Sequence, residues 1–238
     1  MNELSAIAGQ KEQRHTELDD IVYRISHDLR ASVRALKDLP GWLEEDLSEM
    51  DVDIGDTAHQ TVHLIQSHAR RLDEMLNGLL AYSRVGRLQE IVTCSPQQVF
   101  QDVIRDMAPG PEVAFFTQFN PVDVRMGSSD IAKVFQILIS NAIAHNSAEA
   151  KQVEITSCKS GEFWELLVAD NGPGIDPIAH EDIFRPMVKL VSRDEDEGGG
   201  MGLAVLRKIA ELYGGSVHVE ARRRKGGSTF RLRIPALA

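Results

Sequence analysis

The stretch that decides the fold reads Glu165-Leu166-Leu167-Val168-Ala169-Asp170-Asn171-Gly172-Pro173-Gly174-Ile175. A short apolar run of strand length ends on an acid, and a turn with two glycines and a proline follows it. An aspartate at the end of a buried strand can accept a hydrogen bond from an exocyclic amine such as that of adenine. Downstream, Gly198-Gly199-Gly200-Met201-Gly202 opens directly into Leu203-Ala204-Val205-Leu206, a helical pattern. Glycines entering a helix let the backbone come close to phosphate, where free N–H groups and the helix dipole favour anions. Upstream, Asn141 lies within the predicted helix Val134–His145 and offers a neutral oxygen ligand of the kind Mg²⁺ accepts. Each feature is weak alone, and their order gives them weight. Walker-type lysine motifs and protein-kinase catalytic loops do not occur, which excludes those nucleotide sites.

Working outward, residues 90–238 mix strands with helices. Strands are predicted at Ile91–Cys94, Glu112–Phe119, Val153–Cys158, Trp164–Ala169, Ser216–Ala221 and Ser228–Ile234. Helices are predicted at Gln97–Met107, Ser129–Asn146 and Met201–Leu212. Several neighbouring strands are joined by turns, at Lys159-Ser160-Gly161 and Lys225-Gly226-Gly227 for example. That pattern predicts an α+β layer with helices on one face of a sheet, not a doubly wound parallel fold. The first ~90 residues read as helical. From Leu18 a 4-3 heptad runs through Val22, Ile25, Leu29, Ser32, Leu36, Leu39, Leu43 and Met50, a coiled-coil seam with one polar interruption. Leu39-Pro40-Gly41 should kink or end this helix, and the polar Asp51–Asp56 segment reads as a loop. A second helix, Thr57–Arg84, carries Val62, Ile65, Ala69, Leu72, Leu76 and Leu79 on one face. The two form a helical hairpin whose seam, left wet in one copy, is expected to be covered in a homodimeric four-helix bundle, the alternative being that it packs on the chain's own second domain. The domains expected are residues 1–90 and 91–238.

Composition narrows the function. The 238 residues suffice for two domains, and 42% apolar with 26% charged content is that of a globular protein. A net charge of -10 argues against nucleic acid as the main partner, and the short run Arg222-Arg223-Arg224-Lys225 reads as a solvated hairpin. Cys94 and Cys158 show neither metal spacing nor a disulfide framework, and no stretch is apolar enough for a membrane span. Together these place the chain in the cytoplasm. His59 and His63 are spaced i and i+4, but without an accompanying carboxylate motif they read as a solvated face and not as a zinc site.

The second domain resembles the ATP-binding domain shared by histidine kinases, gyrase-type topoisomerases, 90-kDa heat-shock chaperones and mismatch-repair ATPases, an α/β sandwich. Ile139-Ser140-Asn141-Ala142-Ile143-Ala144-His145 is similar to the N box, Asp170-Asn171-Gly172-Pro173-Gly174-Ile175 to the first glycine box, and Ile183-Phe184-Arg185-Pro186 to the F box. Gly200-Met201-Gly202-Leu203-Ala204 is similar to the second glycine box, and Gly227-Ser228-Thr229-Phe230 to the last strand. The resemblance implies ATP and Mg²⁺ as cofactors, with Asn141 on the metal and Asp170 on adenine. It further implies nucleotide contacts from His145, Gly172, Gly174, Gly200 and Gly202, and support of the adenine-binding Asp by Thr229. It makes Met187–Gly199 the ATP lid, with Lys189 and Arg193 as phosphate contacts and Asp194-Glu195-Asp196-Glu197 turned to solvent.

Ser26-His27-Asp28-Leu29-Arg30 resembles the phosphoacceptor motif of two-component histidine kinases, and Leu79-Leu80-Ala81-Tyr82-Ser83-Arg84 the end of that domain's second helix. In the heptad, His27 falls at the outward f position. A neutral imidazole is the nucleophile such chemistry needs, and Asp28 can accept its second ring proton. The resemblance thus implies a kinase that phosphorylates His27 and passes the group to an aspartate of a response-regulator receiver. Departures qualify it. Ala31 stands where bifunctional members carry Thr or Asn, which predicts weak phosphatase activity, and Ser32 replaces the usual Pro. Ile137, Ser140 and Ala144 replace Asn, Glu and a basic residue, which predicts modest ATP affinity. The alternative is a degenerate kinase acting as a histidine phosphotransfer protein. Residues 1–20 show no sensor, so either a separate sensor protein docks on the bundle or a sensor lies upstream.

Overall fold

A computed structural model of the chain describes residues 2–50, 52, 54–87, 89–189, 199–222 and 226–236, with side chains from Ile21 onward. The expectations placed on Leu18, Asp51, Arg193, Asp194 to Glu197, Gly198 and the Arg223-Arg224-Lys225 part of the basic run lie outside these residues. The chain divides into two compact units, Met1–Arg84 with Val191–Met201, and Val85–Leu190 with Gly202–Ala238.

The first unit is a helical hairpin of α1 (Asn2–Glu49) and α2 (Gly55–Arg84). Helix α1 does not end at Leu39-Pro40-Gly41, as one of the sequence expectations had it, but runs through Pro40. One lost backbone donor is outweighed because α1 packs along α2, with position 41 set against Gln66. The buried face of the hairpin comes from Ser26 and Val33 on α1, one heptad apart, and Val62, Ala69, Leu80 and Ser83 on α2. The predicted seam lies on the other side: Ile25, Leu29, Leu36, Leu39 and Leu43 are exposed, as are Ile65 and Leu72 of α2. The apolar stripe is therefore left unpaired by one copy of the hairpin. His59, expected to be solvated, pairs through Nδ1 with Glu44 Oε1 at 2.9 Å across the hairpin. No cluster of His, Cys, Asp or Glu able to hold a metal occurs among the described residues.

The second unit comprises β1 (Ile91–Cys94), α3 (Pro96–Met107), β2 (Val113–Phe119), β3 (Val124–Gly127), α4 (Ser128–Ala144), β4 (Lys151–Ser160), β5 (Phe163–Asp170), α5 (Gly202–Leu212), β6 (Ser216–Ala221) and β7 (Ser228–Pro235), with two short 3₁₀ turns at Pro177–Ala179 and Asp182–Phe184. Five strands form one sheet in the order β2-β4-β5-β7-β6, parallel between β2 and β4 and antiparallel elsewhere. Strand β3 was not predicted. It is four residues long with exposed Arg125 at its centre, and it forms only because Val124 and Met126 are buried where it pairs with β1.

The sheet is a two-faced layer. Trp164, Leu166 and Val168 of β5 and Phe230, Leu232 and Ile234 of β7 point into the core, against Phe135, Leu138, Ile139, Leu206 and Ile209 of the helices. Burial of side chains this size contributes about 1.5–3 kcal/mol each. Buried Trp164 donates its Nε1–H to Ser157 Oγ at 2.9 Å, so the ring costs no unpaired donor. On the opposite face, Arg231 joins Glu165 and Glu220 at 3.1 and 3.0 Å, which lets Glu165 sit at the sheet centre as a charge. This layering brings the ends of α4, β5 and β7 and the start of α5 to one rim of the unit.

Candidate active site

Asp170 ends β5 and is buried. Its Oδ1 accepts the backbone N–H of Gly172 at 2.8 Å and that of Ser228 at 3.3 Å. Burial pushes the carboxyl pKa up, opposed by these two backbone donors and by Arg222. Both donors converge on one oxygen. Among the described residues nothing donates to Oδ2, which leaves an acceptor fixed in direction by its own carboxylate plane. Thr229, implied as the support of this aspartate, stands in β7 in register with Ala169, and its neighbour Ser228 donates its backbone N–H to Asp170.

The glycines of the turn answer to close backbone approaches. A Cβ at Gly172 would lie 3.0 Å from Asp170 Oδ1 and 3.3 Å from the His145 carbonyl oxygen, so the turn rests on the end of α4. Gly174 and Gly227 both take φ +85, and a Cβ at Gly227 would overlap the Asp170 carbonyl oxygen. Two glycine turns are thus stacked backbone on backbone beside the aspartate. Gly202 begins α5 next to Ile137, 3.5 Å from where its Cβ would stand. Gly200 takes φ +67 and belongs with residues 199–201 to the first unit.

The asparagines divide by role. Asn141, in the last turn of α4, is half-buried, and its carboxamide makes no hydrogen bond to any described residue. Asn146 and Asn171 are fully engaged. Asn146 Nδ2 donates to Asn171 Oδ1 at 2.8 Å, Asn171 Oδ1 also accepts Gln152 N at 2.8 Å, and Asn171 Nδ2 donates to the Ala150 carbonyl at 3.0 Å. They tie the turn to the segment between α4 and β4. Sequence reasoning missed both, although Asn171 adjoins Asp170. His145 caps α4 with its backbone and is exposed. Lys189 is half-buried at the end of a described segment.

The basic run is corrected at its first residue. Arg222 is not solvated: it pairs with Glu154 and donates to the Asp170 carbonyl at 3.4 Å. The F-box residues Ile183 and Phe184 are buried, with Phe184 edge-on to Phe230 and the Arg207 guanidinium 4.5 Å above its ring. They brace the rim and do not enter it. An unengaged carboxamide, a half-satisfied carboxylate with glycine turns stacked beside it, and a glycine that opens α5 are the donor and acceptor set a purine nucleotide with Mg²⁺ calls for.

In the first unit, His27 lies on the outer face of α1 with its side chain 63% exposed. Its Nδ1 sits 3.3 Å from Asp28 Oδ1, which is itself 82% exposed. The ring is reachable, as a nucleophile must be.

Residues 127–238 match the family described as histidine kinase-, DNA gyrase B- and HSP90-like ATPase. The chain is 28% identical over 232 residues to the methanogenesis regulatory histidine kinase FilI of Methanothrix harundinacea, covering 94% of this chain and 25% of that protein. Full-length ShkA in complex with AMPPNP superposes with a TM-score of 0.65 at 21% identity, over 92% of this chain and 46% of that one. Histidine kinase ThkA, solved in complex with response regulator protein TrrA, gives a TM-score of 0.64 at 22% identity, over 97% and 66%. The C-terminal unit thus carries an ATPase domain of the histidine kinase, gyrase and HSP90 type. Taken with the helical hairpin, the chain has the fold of the matching parts of ShkA and ThkA. It spans about a quarter to a third of the length of the first curated relatives it matches.

Proposed function

We propose that the chain is a protein-histidine kinase that takes the γ-phosphoryl group of ATP onto His27 and passes it to an aspartate of a response-regulator receiver. The observation that carries this is the pairing, within one unit, of an unengaged Asn141 carboxamide with an Asp170 whose free oxygen is aimed by two backbone donors. Asp170 Oδ2 takes the adenine amine, the stacked glycine turns and the start of α5 face the phosphates, and Asn141 holds the metal. Mg²⁺ held at Asn141 would supply neutralisation of the phosphate charge.

The His27 Nε2 lone pair forms the N–P bond. The bond from the γ-phosphorus to the bridging oxygen breaks, with its electron pair leaving on ADP, and the Nδ1 proton passes to Asp28 or to water. Transfer requires nucleotide and imidazole to meet in line. The exposed stripe Ile25, Leu29, Leu36, Leu39 and Leu43 supports a homodimer in which two hairpins bury it as a four-helix bundle. ThkA was solved with a response regulator, and a receiver docking on the bundle near His27 is the corresponding partner here. No helix among the described residues is long and apolar enough to cross a membrane. We place the reaction in the cytoplasm, where ATP is available and Cys94 and Cys158 stay free thiols.

Ile137 packs near Gly202, while Ser140 and Ala144 are exposed, so none of the three brings a charge to the phosphates. ATP affinity is accordingly modest. Incubation with γ-labelled ATP tests the proposal. A label that acid removes and alkali spares, present on the wild type and absent from His27→Gln, supports it. ATP binding without label supports a nucleotide-driven switch instead, and neither binding nor label supports a phosphotransfer shuttle.

A further inference from the structure

An exposed histidine on a helix surface turns freely about two side-chain torsions, so a solvent-facing imidazole presents either nitrogen in many directions. His27 is exposed, yet two of its sides are taken. Asp28 lies on its Nδ1 edge at 3.3 Å. Tyr23, one helical turn earlier, lies against its face, with ring centroids 6.3 Å apart and planes inclined by 27°. Tyr23 is itself held from the other helix. Arg84, the last residue of α2, donates from its guanidinium to the Tyr23 hydroxyl at 3.3 Å, and its central carbon stands 5.2 Å from the Tyr23 ring centroid. The side chain of Tyr23 is half-buried, unlike that of His27.

From this arrangement, which rests on the kinase reading above, we infer that Tyr23, braced by Arg84, is a positioning residue that fixes the His27 imidazole with Nε2 outward. The chemistry follows from the contacts. A ring packed one turn away on the same helix limits rotation of the imidazole about its own axis. With rotation limited, Nδ1 stays beside Asp28 and carries the ring proton, and the lone pair needed for attack sits on Nε2. The hydrogen bond from Arg84 and its stacking on the Tyr23 ring keep the platform from swinging into solvent. Pre-organisation of this kind acts on the chemical step and leaves nucleotide binding alone, because none of these side chains belongs to the second unit.

The test uses the full chain in four forms: wild type, Tyr23→Phe, Tyr23→Leu and Arg84→Met. Two readouts are taken on each, with far-UV circular dichroism confirming the helices. The first is the ¹⁵N spectrum of the imidazoles, in which the His27 signals are identified by their absence from His27→Gln. The second is the initial rate of labelling from γ-labelled ATP over a range of ATP concentrations. Wild type should show His27 protonated mainly on Nδ1. Tyr23→Leu and Arg84→Met should lose that preference and label about tenfold more slowly at saturating ATP, with the ATP concentration at half-maximal rate unchanged. Tyr23→Phe, which keeps the ring and loses the bond from Arg84, should fall between. An unchanged His27 tautomer in Tyr23→Leu overturns the inference, as does a loss of rate that appears wholly in the half-saturating ATP concentration. The spectrum needs no phosphoryl transfer, so a wild type that takes no label overturns the kinase reading while the tautomer still decides the role of Tyr23.

Discussion

Tyr213→Phe removes one oxygen from a polar cluster that ties the entrance of the second unit together. The Tyr213 hydroxyl donates to Asp130 Oδ2 at 2.7 Å and accepts the backbone N–H of Gly127 at 2.9 Å. Gly86, just past the end of α2, donates to the same Asp130 oxygen at 3.2 Å, and Gln89 Oε1 accepts the N–H groups of Ser129 and Asp130 that open α4, each at 3.1 Å. The substitution breaks a bond to a charged group and strands the buried Gly127 donor. Each loss costs about 1–3 kcal/mol, so the variant should be about 2–6 kcal/mol less stable at neutral pH. Alkaline pH gives a second signature. Burial foremost, then Asp130, pushes the Tyr213 hydroxyl up to about 12, against about 10 in an unfolded chain. A raised pKa contributes stability that is whole below pH ~10 and is lost as pH rises toward ~12, because the unfolded chain releases its proton first. Two pH units correspond to at most about 2.7 kcal/mol, and the half-open hydroxyl is screened by water, which leaves about 1 kcal/mol. Urea unfolding followed by Trp164 fluorescence, in a Trp42→Phe background, measures both, since Trp164 is buried in the second unit and Trp42 is exposed on α1. Equal stability of the two proteins at pH 7, or parallel curves between pH 10 and 12, would refute the reasoning.

Three further predictions follow from the site and the hairpin. Asp170→Asn keeps an acceptor for Gly172 and Ser228 but loses the carboxylate, so ATP should bind roughly 10–100-fold more weakly by calorimetry while the melting temperature changes little. Gly227→Ala forces a methyl into the Asp170 carbonyl at φ +85, and thermal unfolding should show a loss of about 2–3 kcal/mol together with weakened nucleotide binding. Leu36→Glu places a charge in the exposed stripe, so light scattering should report a monomer, against the dimer proposed for the wild type.

Much of this was legible in the chain itself, for reasons that differ by element. The run Leu166–Ala169 followed by Asp170 and the glycine turn announced a central strand and the turn that ends it, because apolar strand, acid and turn are all local signals. The α1 heptad announced an apolar stripe, and the structure shows which side of the hairpin it occupies. What stayed hidden depends on distance along the chain. Strand β3 exists through its pairing with β1, some 30 residues away, and α1 crosses Pro40 because α2 supports it. Arg222 looked solvated inside a basic run until Glu154 was brought beside it. Asn146 and Asn171, like Tyr213 and Asp130, signal nothing singly, and only folding assembles them into networks.

In the proposed reaction, phosphorus from ATP ends on one nitrogen of one side chain. Fragment mass spectrometry of the chain after brief exposure to ATP and Mg²⁺, with peptides kept at alkaline pH, tests it most directly. A phosphoryl group is expected on the peptide containing Ser26-His27-Asp28, at His27. Phosphate on any other residue, or its persistence at the same level in Asp170→Asn, would contradict it.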